Sequence, residues 1–88
     1  MPYPARRREA ESMVRALADE LEAAGVRVLD VRACSQVGLL VTAEVIVWCY
    51  RRLLHWRHDG EDMTWPAADA FGAARRLVQA GQGGQSGM

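Results

Sequence analysis

The chain has 88 residues, half of them hydrophobic and a quarter charged, with eleven acidic residues balancing eleven basic ones. That length has room for one core and no second domain, and the balanced charge supplies no long-range field toward nucleic acid, an anionic membrane or an acidic ligand. Every basic residue is arginine, which reads as the signature of a GC-rich genome rather than as eleven chosen guanidinium contacts.

Arg6, Arg7 and Arg8 precede Glu9, Glu11 and Asp19, where a signal peptide needs an uncharged apolar run. The longest apolar stretch, Val37 to Tyr50, is broken by Glu44 and is shorter than the ~20 residues of a membrane-spanning helix. Both features imply a cytoplasmic protein with no membrane partner.

From Ala5 to Ala24, Ala10, Met13, Val14, Leu17, Leu21 and Ala24 recur at helical spacing while Glu11, Arg15, Asp19 and Glu22 fall on the other side. This predicts a first helix, with Pro4 near its first turn and Gly25 as its left-handed cap. Val26 to Cys34 and Leu39 to Cys49 are rich in valine, leucine and isoleucine and read as two antiparallel strands joined by a short connection at Ser35 to Gly38. The second run is apolar on both faces, with Val41, Ala43, Val45 and Val47 on one and Leu40, Ile46 and Trp48 on the other, so it reads as a central strand.

A third strand, Leu53 to His58, follows a tight turn at Tyr50 to Arg52 and ends at Asp59-Gly60, a strong turn dipeptide; Met63 to Trp65 reads as a short return segment. Thr64 and Pro66 open a second helix whose apolar face is Ala70, Phe71, Ala74, Leu77 and Val78, with Asp69 near its positive end. The expected architecture is a single α+β domain over residues 1–80 in the order α-β-β-β-α, a three-stranded antiparallel sheet with two helices packed on one face. Residues 81–88, rich in glycine, are expected to be a disordered tail.

Motifs that would carry chemistry are sparse. Cys34 and Cys49 fall too far apart in the expected hairpin for a disulfide and read as small apolar core residues. His55 and His58, three apart on a strand, point to opposite faces, which argues against a zinc site with Cys49. Asp59, Glu61 and Asp62 read as a solvated acidic turn. With no phosphate loop, paired carboxylates or nucleophile signature in the chain, no enzyme activity, cofactor or metal is expected.

Trp48, Tyr50, Trp56 and Trp65 place four of the six aromatics within residues 48 to 65, interleaved with Arg51, Arg52, Arg57 and His58. Such mixtures occur both at protein hot spots and on nucleic-acid platforms. Trp48 and Trp65 read as core, and Trp56 as the better surface candidate.

The order α-β-β-β-α resembles that of double-stranded-RNA-binding domains, whose second helix meets phosphates through a basic N-terminal end. Here that end reads Thr64-Trp65-Pro66-Ala67-Ala68-Asp69, with no basic residue, so no site residue carries over. Val47-Trp48-Cys49, Trp56, the run Thr64 to Ala70 and Ala73-Ala74-Arg75-Arg76-Leu77 are also similar to small uncharacterised actinobacterial proteins, a resemblance that implies a source and no activity.

The sequence thus points to a non-enzymatic protein–protein interaction module, a small regulator, inhibitor or accessory subunit that is expected to form a homodimer. Its partner-binding residues would be Trp48, Tyr50, Arg51, Arg52, Trp56, Arg57 and His58, on an open sheet face. The alternative is a nucleic-acid binder using Arg51, Arg52, Arg57, Arg75 and Arg76 with the Arg6 to Arg8 arm, weakened by the acidic residues interspersed among them.

Overall fold

The computed structural model describes the backbone of residues 5–34 and 36–86 and the side chains of residues 8–34 and 36–80. Helix α1 (Ala5–Ala23) is followed by strands β1 (Val28–Cys34), β2 (Val37–Thr42), β3 (Ile46–Tyr50), β4 (Leu53–His58) and β5 (Glu61–Pro66), and by helix α2 (Ala70–Ser86). The strands form one antiparallel sheet in the order β1-β2-β3-β4-β5. The class is α+β as expected, but the sheet has five strands and not three. The order α-β-β-β-α, on which the likeness to double-stranded-RNA-binding domains rested, is replaced. The expected disordered tail over 81–88 falls outside the described side chains.

Two features of the sequence account for the extra strands. The apolar run read as one central strand is a hairpin: it folds back at Ala43-Glu44, where the Thr42 N–H donates to the Val45 carbonyl and the Thr42 hydroxyl accepts from the Glu44 and Val45 N–H groups. The return segment after Asp59-Gly60 is a full strand paired with β4 from His58↔Glu61 to Leu53↔Pro66. Strands β1 to β4 therefore end at Cys34, Thr42, Tyr50 and His58, eight residues apart, and build a regular meander.

Two of these reversals use left-handed backbone. Asp59 and Gly60 have φ of 53° and 82°, the conformation that an Asp-Gly pair favours in a two-residue hairpin. Arg51 and Arg52 have φ of 53° and 63°, where an L side chain costs roughly 1–2 kcal/mol per residue.

Helix α1 ends as its sequence implies: Gly25 is left-handed, its N–H donates to Glu22, and the Val26 N–H donates to Leu21, closing a Schellman cap. Its apolar stripe, Ala10, Val14, Leu17, Ala18 and Leu21, is buried against the sheet. The fit is closest at Gly38, where a methyl group would lie 2.6 Å from the Ala10 carbonyl oxygen, so only glycine lets β2 and the helix approach this far. Helix α2 begins later than the sequence suggests. Thr64 to Pro66 belong to β5, and Asp69 is the N-cap, its Oδ1 accepting from the Gly72 N–H at 3.1 Å and its Oδ2 from the Trp65 indole at 3.1 Å. Ala73 and Ala74 of α2 join the same core as α1, so both helices cover one face of the sheet.

Candidate functional site

Pleating sends alternate residues of each strand to opposite faces, and the register decides which. On the helix-covered face, Leu40, Val47, Cys49, Leu54 and Trp56 are each 2% exposed or less. On the other face no element among the described residues covers the sheet, although its chemistry is much the same. Val37, Leu39 and Val41 of β2, Ile46, Trp48 and Tyr50 of β3, and Leu53 and His55 of β4 all point there. Ile46 is 52% exposed, Leu53 40% and Tyr50 38%.

One cross-strand row runs Arg32, Leu39, Trp48, His55 and Thr64, and at its centre the Trp48 and His55 rings stack with centroids 5.7 Å apart and planes 11° from parallel. Such directly opposed pairs are the stabilising unit of an antiparallel sheet. Charge lies at the two sides and is neutralised in place. Arg32 pairs with Asp30 at 2.6 Å on β1, and Arg57 pairs with Asp62 at 2.9 Å across β4 and β5. The result is a net-neutral face with an apolar, aromatic centre and a charged rim, the composition of a protein interface.

The residues expected to bind a partner divide. Trp48, Tyr50 and Arg57 share the open face. Arg51 and Arg52 form the tip of the β3–β4 hairpin at its end, where Arg51 lies 5.4 Å over the Tyr50 ring and Arg52 pairs with Glu9 at 2.8 Å. Trp56 does not belong with them: it is a central core side chain, 2% exposed, and Trp48 takes the surface role assigned to it. The reason is parity. Because β3 and β4 pair Tyr50↔Leu53, Cys49↔Leu54 and Trp48↔His55, residues 49, 54 and 56 share the inner face and residues 48, 50 and 55 the outer. Trp65 is partly buried and packs against the core as expected. His58 is half-buried beside Asp59, 3.4 Å away, at the mouth of a recess of about 340 Å³ between the helices and the sheet.

Leu39, Val41, Ile46, Leu53 and His55 were missed as site residues. The signal that marks them is the eight-residue spacing of the reversals, which puts Ala43-Glu44 in a turn and so exchanges the faces of residues 46 to 49 relative to those of residues 39 to 42.

The two cysteines are free and on opposite faces, Cys34 exposed and Cys49 buried; the reading of both as core residues holds for Cys49 alone. The Cys49 thiol lies 3.8 Å from the Met13 sulfur, and burial, followed by the charge of Glu9, pushes its pKa up. It sits at the floor of a recess of about 670 Å³ bordered by Glu9, Arg51 and Arg52. Among the described residues no three His, Cys, Asp or Glu side chains are grouped so as to hold a metal ion, and no helix is long and apolar enough to cross a membrane.

The arginines of the nucleic-acid alternative do not form one surface. Arg57 is on the open face, while Arg75 and Arg76 are on α2, behind the sheet, over the rings of Phe71 and Trp65. The side chains of Arg6 and Arg7 lie outside the described residues. Comparison of the chain with models of protein families, with curated proteins and with solved structures found no match.

Proposed function

We propose that this protein is a non-enzymatic interaction module, a small regulatory or accessory subunit that binds another protein chain through the open face of its sheet. The observation that carries this reading is the uncovered apolar surface centred on Ile46, Trp48, Tyr50 and Leu53, next to an inner face already filled by two helices. Monomeric proteins seldom leave an aromatic-centred, rim-charged patch unpartnered.

The sheet's edges are not the interface. β1 carries a register irregularity between Val28 and Asp30, and β5 presents Glu61, Asp62 and Pro66, the devices that keep edge strands from pairing with other chains. A nucleophilic role for the buried thiol is disfavoured by its surroundings: Cys49 is 1% exposed and its pKa is pushed up by burial and then by Glu9, the opposite of an activated thiolate. Nucleic-acid binding is disfavoured by pairing, since Arg32, Arg52 and Arg57 each already hold a carboxylate.

The test is a pull-down from cells that make the tagged protein beside an untagged copy, with and without nuclease, for the wild type and Ile46→Glu. A stoichiometric, nuclease-resistant protein partner, the untagged copy included, that is lost in the variant is the expected result. Recovery of nucleic acid alone, or of a partner indifferent to Ile46→Glu, overturns the reading.

A further inference from the structure

We propose that the recess between the first half of α1 and the tip of the β3–β4 hairpin binds a small organic acid with one carboxylate and an apolar body, such as a medium-chain fatty acid. This site lies on the helix side of the sheet and is independent of the open face. Its floor and its mouth differ in character, and each suits one end of such a molecule.

The recess has a volume of about 670 Å³, within the range of small-ligand sites. Its floor is formed by Ala10 and Met13 of α1 and Cys49 of β3. Of these side chains only the Cys49 thiol is polar. It lies 3.8 Å from the Met13 sulfur, and burial keeps it in its neutral form, so the floor sets no charge against an alkyl chain. Methionine also adapts its shape to irregular apolar partners.

The mouth is polar, with Glu9, Gln36, Arg51 and Arg52 around it. Arg52 Nε and Nη2 both donate to Glu9 Oε2, at 3.1 and 2.8 Å, so Glu9 cancels one guanidinium charge while the rest of the Arg52 donor fork stays open to a second acceptor. Arg51 lies over the Tyr50 ring and has no carboxylate partner among the described residues. Two arginines and one glutamate leave the mouth with one net positive charge. That matches a single carboxylate, which guanidinium groups bind in a planar, charge-assisted geometry, and not a polyphosphate.

Backbone strain at the same place is a separate observation. Arg51 and Arg52 are consecutive left-handed residues with φ of 53° and 63°, a costly conformation for L side chains. One exposed ion pair and one exposed cation–π contact return less than that strain costs. Strain that local contacts do not offset is found at ligand clamps, and here it sets both arginines at the rim of one opening.

The experiment is a nitrogen–proton correlation NMR titration of the full chain with decanoate, at fixed ionic strength and below its micelle-forming concentration, beside decylammonium as the same chain with the opposite charge. The expected result is a saturable shift of the amides of Ala10, Met13, Gln36, Cys49, Arg51 and Arg52, with a dissociation constant on the order of 1 mM for a ligand of this size. Decylammonium should bind these positions about tenfold more weakly. Arg51→Gln should weaken decanoate about fivefold, and Glu9→Gln, which removes the negative charge from the mouth, should tighten it about twofold.

The absence of saturable shifts at ten times the expected dissociation constant overturns the site. So do shifts centred on Ile46 and Trp48 of the open face, equal binding of decylammonium, or a decanoate affinity that neither variant changes. Both variants alter exposed side chains, and because they move affinity in opposite directions, either one that keeps the wild-type spectrum carries the test alone.

Discussion

On the side of the sheet that meets the helices, Leu40, Val47, Leu54 and Trp56 are sealed, while one residue along the same strands Leu39, Ile46, Leu53 and Trp48 are open or half-open. The two sets are close to identical in residue type. What separates them is which parity each hairpin assigns and where α1 and α2 lie, so hydrophobicity alone cannot distinguish the core of this protein from its open face. Burial makes one set a stability determinant; the other is free to be an association determinant.

The sharpest way to break that comparison is to truncate one tryptophan from each face. Trp56→Ala empties the centre of the core and is expected to cost about 3–5 kcal/mol, a large share of the roughly 4–13 kcal/mol that a domain of this length can hold. Trp48→Ala, measured by urea unfolding at a protein concentration low enough to keep the chain monomeric, is expected to cost under about 1 kcal/mol, the worth of its cross-strand stack with His55. Equal losses would mean that the outer face is itself part of the folded core.

Gly38→Ala tests how tightly the inner face is closed. The added methyl would meet the Ala10 carbonyl, a backbone atom that can move only with the whole helix. The expected loss is about 1–3 kcal/mol, read as a lower urea midpoint. A neutral result would show that α1 rides less closely on β2 than the geometry indicates.

A smaller effect of opposite sign is expected at the hairpin tip. Arg51→Asn together with Arg52→Gly supplies the residues that a left-handed two-residue turn favours, and even after loss of the exposed Arg52–Glu9 pair, worth about 0–1 kcal/mol, a net gain on the order of 1 kcal/mol should appear as a higher melting temperature. If association weakens in the same variant, the strained arginine pair is retained for binding and not for folding.

Much of this fold is legible in the sequence, and the parts that are not share a cause. α1 could be placed from its 3.6-residue stripe and Gly25, and β4 from the alternation of Leu54 and Trp56 up to Asp59-Gly60, because each signal is local. The turn at Ala43-Glu44 carries neither glycine nor proline, and its cap is a single threonine hydroxyl, so residues 39 to 49 read as one strand and the faces came out mixed. On that reading Trp56 faces the surface and Trp48 the core, the reverse of their burial. Trp48, Tyr50 and Arg57 were found through composition, the aromatic and arginine density of residues 48 to 58. Ile46, Leu53 and His55 were not, since their membership depends on a register that only the paired strands define.

The smallest effect expected is chemical, and it separates the faces through their cysteines. Cys34 is exposed and Cys49 buried, so in the native protein a thiol reagent should modify Cys34 fully and Cys49 only at the rate at which the core opens. The Cys49 pKa is raised first by burial and then by Glu9, so around pH 9 and above the unfolded chain releases this proton while the folded chain keeps it. The native state then binds more protons than the unfolded one, and stability must fall as pH rises through that range. The contribution is fully present below the ordinary thiol pKa and lost above it. Urea midpoints measured from pH 7 to 10 should therefore decline for the wild type and decline less for Cys49→Ala. An unaltered slope in Cys49→Ala would mean that this thiol meets solvent in the folded state, and the inner face would then be less closed than its neighbours Leu54 and Val47 make it.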